Sequence, residues 1–239
     1  EIDDPTIGDF YSASFFPGVG LSDTNQIAMV RDSDVLFYNG YSTYTKKFET
    51  KFLFDAVLPI SLDFLLGTNS SENDVTTGTD ISPVLFNDQF ILLSGRSPSL
   101  PVNLDFSLRQ AVQKWDGSAD TNFVADENIP NGNFGIVTAN RLAIVTGPDI
   151  IEFSDIINES NYDVFGKFYI GVGDGDDITG ITAIPESSCV VFKRRSIWAI
   201  NGLNVIEQAF VFQVSGSTGC VSRHSIQSVG SSFIFLGDS

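Results

Sequence analysis

The densest group of possible ion ligands in this chain is a short acidic loop at residues 173–177, with the sequence GDGDD. Its carboxylates, Asp174, Asp176 and Asp177, are close together on a loop that glycine allows to turn tightly, and calcium prefers oxygen ligands of this kind. The loop lacks the glutamate that closes an EF-hand loop, and three side chains alone make a sparse calcium site. We therefore interpret the segment as a solvated loop between strands, with calcium binding as the alternative.

Other carboxylates have the residue types of a glycosidase acid and nucleophile. The candidate pairs are Asp155 with Asp163 and Asp149 with Glu152. Such pairs arise freely in a chain with 30 Asp and Glu residues, so their spacing alone has little meaning. We predict a non-enzymatic protein with no catalytic residue, no cofactor and no resident metal ion.

Histidine and cysteine are too few for most zinc or nucleophilic sites. His224 is the only histidine, which excludes a multi-histidine zinc site within this chain, and we expect it at the surface beside Arg223. Cys189 and Cys220 are the only cysteines. Their number permits one disulfide, but such sparse cysteine more often means free buried thiols, which we predict here.

The basic segment 193–195 and the two tryptophans are further candidates for binding. The segment, with the sequence KRR, is expected to form a salt-bridging patch, or alternatively to grip an acidic neighbouring subunit. Trp115 and Trp198 have the side chains that stack on sugars. Because Trp198 lies within the apolar string IWAING, we expect it to pack in the core.

The overall charge limits the possible partners. With 30 acidic and 13 basic residues, the chain has a formal net charge of -17, which disfavours gripping nucleic acid through its phosphates. An acidic wall would instead repel DNA and let it slide past. No stretch approaches the roughly 20 apolar residues of a membrane-spanning helix, so we predict no membrane segment.

These side chains must be positioned mainly by β-strands, because a hairpin pattern dominates the sequence. A short apolar strand, a tight polar turn and a second, more apolar strand recur five times. The copies are IAMVRDSDVLFYNG (27–40), SPVLFNDQFILLSG (82–95), FGIVTANRLAIVTG (134–147), ITAIPESSCVVFKR (181–194) and IQSVGSSFIFLGD (226–238). Their second strands begin 55, 52, 48 and 43 residues apart, at Val35, Phe90, Leu142, Val190 and Phe233. Repeated hairpins with this period predict an all-β fold of the β-propeller type, incomplete within this chain.

The remaining segments complete the predicted organisation. Residues 1–25 are expected to be an N-terminal arm or lead-in strand, and residues 26–239 the propeller blades. Residues 67–80 are polar without periodicity and are predicted to form an exposed loop. Residues 107–117 space their apolar side chains as a helix would, but the repeat requires an outer strand there, so we predict a strand. Because the chain opens without methionine and stops directly after the fifth hairpin, we expect it to be a fragment of a longer protein.

From Trp115 onward, the order of several short strings resembles the β-propeller domain of bacteriophage tail proteins. That family comprises the tail tubular, hub and nozzle proteins and the packaged-DNA stabilisation proteins of short-tailed phages. The matching features are the turn Asn140-Arg141-Leu142, the corner Phe153-Ser154-Asp155, the Gly-Asp-rich loop before Ile178-Thr179-Gly180, the string Val191-Phe192-Lys193 followed by Ser196-Ile197, and the turn at Gly219. The resemblance covers residues 112–239, roughly half of the chain, whereas the N-terminal half matches only through its hairpin period.

This resemblance implies a structural protein of the virion, located in the phage tail or the head-to-tail connector. It implies a homo-oligomeric ring around the DNA path, contacts with other tail, portal or adaptor proteins, and transient passage of DNA without sequence-specific binding. The resemblance assigns no catalytic residue to this chain. Two alternatives stay open because propellers host many functions. They are a secreted glycan-binding propeller and a carbohydrate-active enzyme with a carboxylate pair at one propeller mouth.

Overall fold

Antiparallel β-sheets account for nearly all regular structure in this chain. The computed structural model describes residues 12–16, 26–30, 34–38, 43–47, 82–93, 112–118, 120–184, 188–229 and 232–237. Within these ranges there are eighteen strands and three short 3-10 turns, but no α-helix, and hence no helix long and apolar enough to cross a membrane. The chain divides into two compact units, residues 1–134 and residues 135–239.

The first unit contains two four-stranded sheets in which the strands follow chain order. Sheet 1 consists of β1 (Ser12–Phe16), β2 (Gln26–Val30), β3 (Asp34–Tyr38) and β4 (Thr43–Lys47). Sheet 2 consists of β5 (Ser82–Phe86), β6 (Gln89–Leu93), β7 (Val112–Trp115) and β8 (Val124–Asp126). Every consecutive pair is antiparallel, so each sheet is a simple meander.

The second unit contains two more four-stranded meanders and a two-stranded sheet. Sheet 3 consists of β9 (Phe134–Thr138), β10 (Arg141–Gly147), β11 (Ile150–Phe153) and β12 (Lys167–Tyr169). Sheet 4 consists of β13 (Ile178–Ile184), β14 (Ser188–Lys193), β15 (Ile197–Asn201) and β16 (Phe210–Ser215). Sheet 5 consists of β17 (Gln227–Val229) and β18 (Ser232–Ile234). The 3-10 turns are Val164–Gly166, Ile206–Gln208 and Arg223–Ser225.

This topology confirms the predicted fold class. Four consecutive antiparallel strands in one sheet are the construction of a propeller blade. The five hairpins expected from the sequence are present as β2–β3, β5–β6, β9–β10, β13–β14 and β17–β18. Within residues 107–117 the described part includes the strand β7, as predicted, and within residues 1–25 it is the strand β1, which pairs with β2.

Two hairpin turns show why small polar residues separate the strands. Asn87 and Asp88 have φ angles of 52° and 57°, and Ala139 and Asn140 have φ angles of 50° and 56°. Two successive positive φ angles are typical of a type I′ turn, whose twist matches that of the flanking strands. In the first and fifth hairpins, residues 32–33 and 230–231 between the strands lie outside the described residues, as does the loop predicted at residues 67–80.

Apolar side chains fill the space between neighbouring sheets within each unit. In the first unit, the ring of Phe37 in sheet 1 lies 4.9 Å from that of Trp115 and 5.7 Å from that of Phe90, both in sheet 2. In the second unit, β10 is buried along its whole length. Phe192 and Cys220 belong to a further cluster that packs against sheet 5. Since β10 and β14 are buried, any polar side chain at their ends must find its partners within the protein.

Candidate functional site

The largest concentration of charge in the described residues surrounds Lys193, between sheets 3 and 4. Lys193 is the last residue of β14, and its side chain is fully buried. Its Nζ lies 2.6 Å from Oδ1 of Asp149 and 2.8 Å from Oδ1 of Asp174, and donates to the carbonyl oxygen of Gly171 at 3.2 Å. We call Lys193, Asp149 and Asp174 the Lys193 cluster. A buried ammonium requires such partners because an uncompensated buried charge is strongly destabilising.

Two loops of sheet 3 present the carboxylates of the Lys193 cluster. Asp149 lies in the tight turn between β10 and β11, and Asp174 lies in the loop from β12 to β13. Backbone bonds join the loop to the turn, since the amide of Ile170 donates to the carbonyl of Asp149 and the amide of Ile178 donates to the carbonyl of Pro148, both at 2.8 Å. The carboxylates therefore belong to sheet 3 and its outgoing loop, and the ammonium belongs to sheet 4.

Another carboxylate of the acidic loop binds the turn that follows Lys193. Asp176 accepts hydrogen bonds from the backbone amides of Arg194 at 3.1 Å and Arg195 at 2.7 Å. The amide of Asp176 donates in turn to Oδ1 of Asp174 at 2.9 Å. The acidic loop is thus attached to the basic segment 193–195 through the side chain of Lys193 and through the backbone amides of Arg194 and Arg195.

Charge pairing determines the titration of this cluster. Burial by itself lowers the pKa of Lys193, but hydrogen bonds to Asp149 and Asp174 and the charges of both raise it above its usual value. Burial by itself raises the pKa of Asp174, but hydrogen bonds from Lys193 and the amide of Asp176 hold it below its usual value. Lys193 and Asp174 are therefore both charged at neutral pH.

The three carboxylates considered as calcium ligands do not converge on one point. Asp174 faces Lys193, Asp176 faces two backbone amides, and Asp177 is exposed. Across the described ranges, no group of three or more His, Cys, Asp or Glu side chains is placed to hold a metal ion. The loop is also more firmly attached than a solvated loop, because its carboxylates reach the neighbouring sheet.

The carboxylates of the candidate glycosidase pair Asp149 and Glu152 face different cations. Asp149 binds Lys193, whereas Glu152 accepts from Oγ1 of Thr146 at 2.8 Å and pairs with Nζ of Lys167 at 3.2 Å. Each carboxylate is thus engaged in a structural contact of its own. This arrangement holds sheet 3 and its neighbours together and does not single out an acid and a nucleophile.

The other candidate pair, Asp155 and Asp163, also has separate structural partners. Asp155 lies 3.8 Å from Nη1 of Arg141 and accepts a hydrogen bond from Nδ2 of Asn161 at 2.5 Å. Asp163 caps the 3-10 turn that follows it by accepting from the amide of Phe165 at 3.3 Å. Asp155 therefore stabilises the corner after β11, whereas Asp163 caps a 3-10 turn, and the two carboxylates have separate structural roles.

A second buried cation, Arg141, joins the other end of sheet 3 to sheet 4. Arg141 is only 6% exposed, although it begins a strand directly after a turn. Its Nη1 donates to the carbonyl of Ser154 at 2.8 Å, and its Nε donates to the carbonyl of Leu203, beyond β15, at 3.1 Å. Oγ of Ser154 accepts from the amide of Leu142 at 2.9 Å. From the sequence, Arg141 and Ser154 were identified only within strings and Leu203 was not identified, so the meeting of their polar groups was missed.

The position of Lys193 corrects the sequence interpretation of the basic segment. Arg194 and Arg195 are exposed, but Lys193 is buried and is not part of a surface patch. The available signal was its place at the end of the apolar run CVVF, because a lysine that continues a buried strand needs counter-charges. Asp149 is the partner that the sequence does not reveal.

The two tryptophans differ from each other in burial. Trp115 is 2% exposed, its Nε1 donates to the carbonyl of Ser118 at 3.1 Å, and Nζ of Lys46 lies 5.2 Å from its ring centroid. Trp198 is only partly buried, with its Nε1 donating to Oγ of Ser196 at 2.9 Å. The prediction that Trp198 packs in the core is therefore wrong in part, because β15 is followed in sheet 4 only by the exposed strand β16.

Histidine and cysteine lie where the sequence predicts. His224 is exposed in the 3-10 turn Arg223–Ser225, where Nε of Arg223 donates to it at 3.3 Å. Cys189 and Cys220 are both free and buried. Burial raises the pKa of the Cys189 thiol to about 12, so this side chain is a core residue and not a reactive thiolate.

Comparison with known proteins gives a likeness of fold and no match of sequence family. No protein-family model and no curated protein sequence matches this chain. Among solved structures, the chain is similar to one titled "YCF48 bound to D1 peptide", with a TM-score of 0.47 and 8% sequence identity. The match covers 89% of this chain and 64% of that chain, so this chain spans less than two thirds of its length. Strand pairing within the described sheets, and not this likeness, is the basis of the fold assignment.

Proposed function

We propose that this chain is a non-enzymatic structural protein of a bacteriophage tail or head-to-tail connector, in which copies of the chain form a ring around the DNA path. The main support for the proposal is the location of the strings that resemble tail proteins. They occur at the junctions between successive sheets of the second unit, where their polar groups form buried contacts. A ring that must keep its shape while DNA passes requires such junctions.

Three of these contacts illustrate the junctions. Arg141 of sheet 3 donates to the carbonyl of Leu203 beside sheet 4, and Lys193 of sheet 4 returns to Asp149 of sheet 3. Oγ1 of Thr179 in sheet 4 donates to the carbonyl of Cys220, ahead of sheet 5, at 2.5 Å. Sliding one sheet past the next would leave buried polar groups unpaired, which favours a rigid body.

The net charge of -17 supports a passive role toward DNA. Acidic surfaces offer the phosphates no counter-charges, so they neither grip the duplex nor slow it by binding. In the proposed ring, acidic loops such as residues 173–177 contact neighbouring copies or face the channel.

The location is tested by quantitative mass spectrometry of particles purified from the source. We expect this polypeptide in intact particles at a low, fixed ratio to the capsid protein, as a ring requires. A soluble host protein of similar abundance serves as the control for contamination, and its ratio should fall with each purification step. Loss of this polypeptide together with that control would overturn the proposal.

The charge argument is tested separately by gel shift with double-stranded DNA at low salt. We expect no retardation of the DNA, because binding at low salt requires cationic contacts with phosphates. Retarded DNA would contradict the repelling channel, whatever the mass spectrometry shows.

A glycan-binding propeller is the second candidate, and the partial exposure of Trp198 is the observation that favours it. The indole lies against Gly171, where an added Cβ would be 3.1 Å from its ring. On a glycan array, this candidate predicts binding that Trp198→Ala abolishes and that Tyr169→Ala, at another exposed aromatic residue, does not affect. No binding by the wild-type protein would exclude it.

A further inference from the structure

The edge of sheet 4 formed by β16 lacks the features that normally protect a strand edge. β16 is six residues long, with the sequence FVFQVS, and contains no charged residue and no proline. No described strand pairs with its free edge. Such an edge offers backbone amides and carbonyls to which another strand can bind.

The last strands of sheets 2 and 3 are protected. β8 and β12 are only three residues long, and β12 includes the exposed Lys167. Charged side chains and short strands are devices that prevent edge-to-edge pairing. The longer, uncharged β16 therefore distinguishes the last strand of sheet 4 from those of sheets 2 and 3.

A β-bulge defines how much of the edge can pair. Ser215 is opposite Ile197 and Gln213 is opposite Trp198, so Val214 is an extra residue in β16. The bulge disrupts the regular pattern at this end of the strand. Regular pairing is thus available along residues 210–213.

Exposed aromatic side chains occupy this regular part. Phe210 is 57% exposed and Phe212 is 40% exposed, with their ring centroids 5.9 Å apart. Alternate residues of a strand project to the same face, so these rings form a small apolar patch beside the open edge. Exposed aromatic rings next to free backbone groups are typical of an interaction surface.

We propose that β16 pairs antiparallel with β16 of a second copy of this chain, about a twofold axis at Val211. In this register Phe210 of each copy lies opposite Phe212 of the other, and Val211 lies opposite its own counterpart. Directly opposed side chains are the main source of stabilisation between antiparallel strands. The pairing therefore covers four exposed phenylalanine rings while it satisfies the free backbone groups.

The charges at the two ends of the edge favour a second copy over an unrelated strand. Glu207 is exposed just before β16, and Arg195 is exposed at the opposite end, two residues before Ile197, which pairs with Ser215. Antiparallel pairing brings the Glu207 end of each copy to the Arg195 end of the other. Opposite charges then meet twice, which offsets part of the repulsion between two chains of net charge -17.

This contact does not depend on the proposed function. A twofold contact closes on itself and yields a dimer, whereas a ring requires a head-to-tail contact between two different surfaces. The two contacts therefore differ in symmetry.

Sedimentation equilibrium over a range from micromolar to near-millimolar protein tests the pairing. We expect the wild-type mass to rise from 26.0 kDa toward twice that value, and Phe210→Lys combined with Phe212→Lys to remain at 26.0 kDa. Tyr169→Lys is the matched control, because Tyr169 is 56% exposed in the last strand of sheet 3, and it should dimerise as the wild type does. Circular dichroism and the thermal midpoint verify that each variant is folded.

Two results would overturn the proposal. One is a wild-type protein that is monomeric at every concentration, which would make an extended strand of another protein the occupant to test next. The other is association that the double phenylalanine variant does not alter, since the contact would then lie elsewhere.

A charge exchange tests the antiparallel orientation. Glu207→Arg and Arg195→Glu should each weaken dimerisation by about tenfold, because each change removes two favourable contacts from the symmetric dimer. The chain with both substitutions should recover wild-type association. Failure to recover would contradict the assigned orientation.

Discussion

A single buried ammonium organises the junction between sheets 3 and 4. The Lys193 side chain has 0% exposure, while those of Asp149 and Asp174 keep 22% and 34% exposure. The cation is thus the fully dehydrated member of the cluster, and the carboxylates retain part of their contact with water. Its removal would leave two negative charges near each other at the rim of an apolar strand.

Replacing Lys193 tests how much this junction contributes to stability. Lys193→Met should lower the free energy of unfolding by about 2 to 3 kcal/mol, which is less than for a fully buried pair because the carboxylates stay partly solvated. Urea denaturation at neutral pH measures the change. Lys167→Met is the matched control, since Lys167 pairs with Glu152 at the surface, and it should lower that free energy by less than about 1 kcal/mol. If both substitutions lowered the free energy of unfolding equally, burial of Lys193 would not be the reason for its contribution to stability.

The depressed pKa of Asp174 predicts a defined loss of stability in acid. A carboxyl with a lowered folded pKa contributes stability that is present above its usual value of 3.8 and is lost as the pH falls through the folded value. Lys193, with a raised pKa, contributes stability that is present below its usual value of 10.5 and is lost as the pH rises through its folded value. Asp174→Asn should therefore be less stable than the wild type at neutral pH and lose less stability on acidification.

Urea denaturation at neutral pH and at about pH 2, well below the usual pKa of 3.8 for Asp174, measures that difference. Asp177→Asn is the matched control, because its carboxylate is exposed on the same loop. A difference between wild type and Asp174→Asn that stays constant as the pH falls would contradict the assignment.

At the level of strands and turns, the backbone at Gly219 lies very close to the backbone at the end of β14. Gly219 precedes Cys220, whose amide donates to the carbonyl of Lys193 at 2.8 Å. A Cβ at Gly219 would overlap the carbonyl oxygen of Lys193 and lie 2.6 Å from that of Arg194. The segment after β16 can therefore reach the end of β14 only with glycine at this position.

Gly219→Ala tests this close approach. We expect it to destabilise the protein by about 2 to 3 kcal/mol, because the obstacle is backbone that must move. Gly237→Ala is the control, since an added Cβ there would make only an ordinary contact of 3.4 Å with Gly219. Thermal unfolding of both variants measures the difference, and similar midpoints would show that the backbone accommodates the methyl group.

Over the whole molecule, the excess of acidic residues opposes folding through repulsion between like charges. The net charge of -17 and the sequence pI of about 4.1 make this repulsion large at neutral pH. Salt screens exposed charges much more than buried pairs such as the Lys193 cluster. Added salt should therefore shift the folding equilibrium toward the folded state.

Raising NaCl from about 10 mM to about 300 mM should raise the thermal midpoint by about 3 °C, because repulsion between surface carboxylates is screened. Differential scanning fluorimetry at low protein concentration measures the midpoint of the monomer. Sorbitol at equal osmolality is the control for solute effects. A midpoint that falls with salt would indicate that exposed ion pairs dominate over repulsion.

The hairpins were predictable because they depend on short-range properties. Alternating apolar residues and turn residues that accept positive φ, such as Asn87 and Asn140, act over a few positions of the chain. The five hairpins followed from this information. The strand containing Trp115 was predicted from the repeat, against its local helical spacing, and the free thiols were predicted from the small number of cysteines. The burial of Trp198 was overestimated because its apolar neighbours do not reveal that β15 is next to the exposed last strand of its sheet.

The Lys193 cluster depended on long-range packing. Asp149 is 44 residues and Asp174 is 19 residues from Lys193 along the chain. Neither spacing has a local signature, because the distance between these atoms depends on how one sheet lies against the next. Local chain chemistry therefore determined the repeated hairpins and their turns, whereas packing between sheets determined which charges met, since a dehydrated cation can be accommodated only where folding brings carboxylates to it.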